Sequence, residues 1–148
     1  DLVLLHTRSQ NKPGPDVALT DIFRVTDGKV SEHWDTIHPA PAAAASGNDM
    51  FALSSSIDEH DPVLAAGSTA LRSAYATRFA ETPQSSASSA LFITEGDLAA
   101  VRYHYRSNAP DRGKAVTEIF RVRDGKIVER STVSQPVPPQ SANPNTMF

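Results

Sequence analysis

"DIFRVTDGKVSEHWDTIHP" (residues 21–39) is the stretch from which the fold is read. Asp27-Gly28 stands between Val25-Thr26 and Lys29-Val30. An Asp-Gly pair suits the type I′ turn, which needs positive φ at both central residues, so the segment predicts a β-hairpin. Side chains alternate faces along a strand. His33 and Asp35 therefore share one face with Ile37, while Glu32, Trp34 and Thr36 share the other. With a plain two-residue turn, Ile22 lies opposite His33 and Thr20 opposite Asp35. A one-residue bulge would change those partners but not the i, i+2 relation. One face then reads as part apolar and part acid–base, which suits a pocket wall and equally suits a half-exposed strand whose polar face meets water.

The hairpin recurs. "DIFRVTDGKVSE" (21–32) returns as "EIFRVRDGKIVE" (118–129), a shift of 97 positions from Phe23 to Phe120. The same shift carries Pro39 to Pro136, Pro41 to Pro138, Asn48 to Asn145 and Met50-Phe51 to Met147-Phe148. Upstream, Asp1-Leu2 matches Asp97-Leu98 with one residue of slippage. The chain reads as two tandem copies of one sheet-forming unit, residues 1–51 and 52–148. Strands are expected near 2–9, 17–26, 29–38, 90–95, 98–107, 114–123 and 126–135.

What precedes the copies differs. Before the second lies "IDEHDPVLAAGSTALRSAYATRFAET" (57–82), where Leu64, Leu71, Tyr75 and Phe79 fall near helical spacing. A helix is expected over 68–81, with Ser68 or Thr69 as N-cap and Pro83 ending it. Residues 84–89 read as a loop. The first copy has no such preface, since Asp1 falls inside what the repeat marks as a turn. It is expected to be cut at its N-terminus. "PAPAAAASGN" (39–48) reads as a linker or extended tail.

Composition excludes several classes. The 148 residues suffice for a real core, with 39% hydrophobic and 21% charged residues, a net charge of −3 and no Lys/Arg cluster. Nucleic acid and anionic membrane are poor partners for such a chain. No apolar run is long enough for a transmembrane helix. Cysteine is absent, which removes disulfides, thiol nucleophiles and thiolate metal sites and leaves the compartment unread. His6, His33, His38, His60 and His104 are the candidates for chemistry near neutral pH, with His6 and His38 expected at the surface.

The block D-I-F-R-x-x-D-G-K-[VI]-x-E-H-W-D, a following Pro and the N-x-M-F tail resemble the SnoaL-like polyketide cyclase family. "IDEHDP" (57–62) is similar to that family's segment ahead of its third helix, matching at Ile57, His60 and Pro62 and departing at Asp58 and Asp61. The resemblance implies the nuclear-transport-factor-2-like fold, an α+β cone of curved antiparallel sheet closed by helices. It implies a cavity between sheet and helices in which a strand carboxylate works with a nearby His. Carried over by position, Asp35 is the acid/base, His33 its same-face neighbour and His60 the His at the cavity lip. The fold hosts isomerases, cyclases, hydrolases and plain binding modules, so it names no single reaction.

Enolising a carbon acid or closing an aldol ring needs one group to take a proton and another to stabilise an oxyanion. That chemistry needs no cofactor, and no ligand spacing argues for a metal. In the second copy, Arg130, Ser131 and Thr132 replace His33, Trp34 and Asp35, so the acid–base element is missing there. Arg102 and His104 share a strand face that suits an anionic or polar ligand, and Trp34 is expected at a junction. The expectation is a small-molecule enzyme acting on an apolar or polyketide-like ligand, the alternative a non-catalytic ligand-binding or assembly module. The two sheets are expected to pack on one another as in a dimer of such folds, with further homo-oligomerisation left open.

Overall fold

Asp27 and Gly28 take φ of 52° and 72°, and Asp124 and Gly125 take 50° and 70°. Both Asp-Gly pairs thus form left-handed two-residue turns, and a hairpin follows from each. The computed structural model describes residues 1–10, 13–45, 47, 51, 58–59, 67–145 and 147–148. Three strands, β1 (Leu2–Ser9), β2 (Val17–Thr26) and β3 (Lys29–Pro39), form one antiparallel sheet in that order. The second sheet holds β4 (Asp58–Glu59), β5 (Ser86–Glu95), β6 (Leu98–Arg106), β7 (Lys114–Arg123) and β8 (Lys126–Pro136), in the order β4-β8-β7-β6-β5. All neighbours pair antiparallel except the short β4, which lies parallel to β8. One helix, α1 (Ser68–Glu81), precedes β5.

Both hairpins bulge at the same place. The register slips between Arg24 and Val25 and again between Arg121 and Val122. The plain two-residue pairing is therefore corrected by one residue: Phe23 faces His33 and Asp21 faces Asp35. Thr26 Oγ1 and Ser31 Oγ lie 3.1 Å apart beside this slip, and Ser31 Oγ donates to the Arg24 carbonyl at 3.3 Å. A bulge leaves the alternation of faces intact beyond it. Ala18, Thr20, Ile22, Trp34 and Thr36 therefore share one face of the first sheet. Asp21, Phe23, His33 and Asp35 share the other.

The first of those faces meets the second sheet. Thr36 Oγ1 and Thr117 Oγ1 lie 3.3 Å apart, and the Ile37 amide donates to Gln135 Oε1 at 3.0 Å. Ala18, Thr20, Ile22 and Thr36 are buried there, as are Ala115, Thr117 and Val133 opposite. Small and hydroxylated side chains let the two backbones approach. Ile22 and Val133 are the large aliphatic groups fully enclosed, each contributing roughly 1.5–3 kcal/mol by burial.

Three further expectations shift. β5 begins at Ser86, so residues 86–89 belong to a strand whose pairing with β6 is irregular between Ser88 and Leu91. Gly67, at φ 98°, is the N-cap of α1, with no side-chain capping bond, in place of Ser68 or Thr69. Leu71 and Tyr75 face inward, whereas Phe79 is 61% exposed. Leu64 and His60 lie outside the described residues, as does most of the 57–62 segment.

Candidate functional site

The face of the second sheet that looks away from the first carries Tyr103 and Tyr105 on β6, Lys114, Val116 and Glu118 on β7, and Arg130, Thr132 and Ser134 on β8. These residues, together with Arg78 of α1 and His38 of β3, line a cavity of about 340 Å³. That is the low end of the range in which small-molecule sites fall. α1 lies over this face because Tyr75 reaches down from it, its hydroxyl donating to Glu118 Oε1 at 3.1 Å.

Glu118 and Arg130 are 7% and 3% exposed. They sit diagonally across β7 and β8, since Glu118 faces Thr132 and Phe120 faces Arg130. Arg130 Nε donates to Glu118 Oε1 at 3.1 Å and Arg130 Nη2 donates to the same oxygen. One carboxylate oxygen thus accepts from a guanidinium and a phenol. Burial raises the Tyr75 hydroxyl above the ordinary tyrosine value, and the negative charge of Glu118 raises it further. Burial and Glu118 act the same way on Tyr103, which is pushed up strongly. Both phenols therefore keep their protons at neutral pH and donate to Glu118, Tyr103 from within the cavity lining.

Thr132 Oγ1 is buried with no hydrogen-bond partner. His38, expected at the surface, instead lines the cavity, with Nδ1 at 3.0 Å from the Ser134 carbonyl oxygen. A carbonyl only accepts, so Nδ1 carries the hydrogen and Nε2 of the neutral ring is left with its lone pair. An anchored imidazole, two protonated phenols and a buried carboxylate–guanidinium pair together can bind a small polar ligand, accept a proton and stabilise an oxyanion.

The residues singled out in the sequence lie elsewhere. Asp35 and His33 occupy the face of the first sheet turned away from the second. His33 Nε2 is 2.9 Å from Asp21 Oδ1, and its ring stacks on Phe23 with centroids 4.5 Å apart. Trp34 is on the opposite face, half-buried, with the Arg24 guanidinium 5.5 Å from its ring centroid. Arg102 and His104 are both buried. Arg102 donates to Thr36 Oγ1 and, at 3.0 Å, to the Met147 carbonyl. His104 Nε2 donates to the Arg112 carbonyl at 2.7 Å, and its ring stacks on Phe148 at 4.2 Å. Among the described residues no group of three or more His, Cys, Asp or Glu could hold a metal.

Sequence reasoning gave Glu118, Arg130, Tyr75, Tyr103 and Arg78 no place in the site. A signal was present. Asp21 and Glu118 recur at the shift of 97, and so do His33 and Arg130. An acid and a basic partner thus recur on the same diagonal of each hairpin, and the His33–Asp21 contact has the same placement as the Arg130–Glu118 pair. Replacement of His33 by Arg130 is a change of basic side chain there, with the carboxylate one strand away.

Comparison with curated proteins finds no match. The model of a family described as "SnoaL-like domain" matches residues 50–130, more than half of the chain, taking in α1, β5, β6, β7 and the start of β8. The matched stretch thus supplies Tyr103, Glu118 and Arg130 of the cavity lining and Tyr75, which bonds to Glu118, and on that match the chain belongs to the SnoaL-like domain family.

Proposed function

We propose that the cavity between α1 and the second sheet binds a small molecule and carries out acid–base chemistry on it, of the isomerase, cyclase or aldol kind. The observation that carries this reading is the enclosed Glu118–Arg130 pair with Tyr75 on the same oxygen, at the floor of a cavity of about 340 Å³. Burying an ion pair costs desolvation that an apolar pair would avoid, so its presence in a cavity favours a functional role. His38 Nε2 is the proton acceptor in this reading. Tyr103, which lines the cavity, is the donor to the oxyanion and turns to it from Glu118, the partner that it shares with Tyr75.

The chain is further read as two tandem copies of one unit, residues 1–51 and 52–148. The shared 97-residue offset of turn, bulge and diagonal pair of an acid and a basic side chain supports this. On that basis a second reading stands, in which Asp35 is an acid/base with His33 as its partner on the open face of the first sheet, His60 serving the same chemistry. The His33–Asp21 contact at 2.9 Å favours it. A non-catalytic binding module is the alternative to both.

Amide chemical-shift mapping of the full chain with a library of small aromatic ketones and acids tests the reading. Shifts at Tyr103, Val116 and Thr132 are expected. Shifts confined to Asp21, His33 and Asp35 would favour the second reading instead, and no specific shift at millimolar ligand would overturn both.

A further inference from the structure

We propose that the cavity under α1 takes a small organic acid, a carboxylate carried on an aromatic or alicyclic body. The proposal rests on the cavity being the binding site and adds the charge and shape of what fills it.

The charges are unequal. Arg130 is matched by Glu118, but Arg78 and Lys114 line the same cavity and make no ion pair with a described carboxylate. Lys114 acts at a distance on Asp111, but that carboxylate is taken by Ser107 and by the Gly113 amide. Two cations therefore face a space whose one carboxylate is already engaged. An anion entering that space gains from both.

Arg78 is held in place beforehand. Its guanidinium lies 5.5 Å from the Tyr75 ring centroid and 5.7 Å from that of Tyr105, and Tyr105 OH is fixed in turn at 3.2 Å from Thr82 Oγ1. A planar guanidinium fixed on aromatic faces presents its fork to a planar carboxylate. Thr132 Oγ1, buried and without a partner, supplies one further donor inside the cavity. Tyr103, Tyr105 and Val116 supply apolar wall. A bare inorganic anion would leave that wall unused.

Isothermal titration of the 148-residue chain with 2-naphthoate, 2-naphthamide and inorganic phosphate tests the proposal. The acid should bind about tenfold or more tightly than the amide, with phosphate weaker than both. Arg78→Gln and Lys114→Gln should each shrink the gap between acid and amide. Lys114 is exposed at the cavity mouth, so its variant remains a test if Arg78→Gln, which loses the ring contacts, does not fold. Equal affinity for acid and amide, or a gap that survives the substitutions, overturns the anion and leaves the cavity reading standing. Phosphate binding as tightly as the acid removes the organic body from the proposal. Failure of both naphthyl ligands to bind removes the cavity reading itself.

Discussion

Glu118 Oε1 accepts from Arg130 and from Tyr75, and the two charged partners are almost wholly enclosed. Removing one member of such a pair strands the other without water or counter-charge. Glu118→Gln should cost about 3–5 kcal/mol in chemical denaturation, whereas Glu118→Leu with Arg130→Met should recover most of it. A single-variant loss below about 1 kcal/mol would mean that the pair behaves as a solvated one. Thr132→Val makes the opposite test, because its hydroxyl is buried without a partner. That substitution should leave stability unchanged or raise it by about 1 kcal/mol while weakening any ligand the hydroxyl serves. The phenols add a pH dependence. Tyr75 and Tyr103 have folded values raised above the unfolded one, so their contribution is complete below about pH 10 and is lost as pH rises through the folded values. Tyrosine absorbance in alkaline titration should show these two ionising last, together with unfolding.

Gly113 is where an element depends on one missing methyl. Its φ is +78°, and a Cβ there would lie 2.0 Å from the Tyr105 carbonyl oxygen. Gly125, at +70°, has nothing within 4 Å of such a Cβ. Gly125→Ala should cost about 1–2 kcal/mol from the left-handed conformation alone, and Gly113→Ala should cost clearly more in the same denaturation experiment. The loop that Gly113 closes is also tied by Asp111. The Ser107 amide and hydroxyl and the Gly113 amide hold its carboxyl down to about 2. A depressed acid stabilises above its unfolded value and loses that effect as pH falls, so the window runs from about pH 4 down to about 2. The melting temperatures of the native chain and of Asp111→Asn should differ at pH 6 and converge near pH 2. The hairpins themselves were legible in the sequence. An Asp-Gly turn and two-residue alternation are local signals, and β2, β3, β7 and β8 fall where they point. The bulges were not, because Ser31 and Val128 look like ordinary strand residues and only cross-strand geometry excludes them from the pairing. Nor was the early start of β5, since Ser86 to Ser88 have weak strand preference and pair only because β6 is already in place.

At the scale of the molecule, sequence could say which residues share a face but not what covers that face. His33 and Asp35 share one, as alternation requires, but that face is turned away from the second sheet, whereas Glu118 and Arg130 lie beneath α1. Arg102 and His104 share a face as well, but Arg102 is buried against Thr36 of the first sheet and His104 beneath the Phe148 ring. His38 reaches the cavity only because β3 lies against β8, a long-range contact that no local pattern encodes. The ligand site proposed for this protein is the cavity under α1, completed by a histidine from the first sheet. A crystal structure of the chain soaked with 2-naphthoate would show where the ligand sits. Ligand density is expected between α1 and the second sheet, with the carboxylate against Arg78 and within hydrogen-bond reach of Thr132 Oγ1, and His38 Nε2 facing the ligand. Density lying instead on the face of Asp35 and His33, with the cavity under α1 empty, would contradict that site.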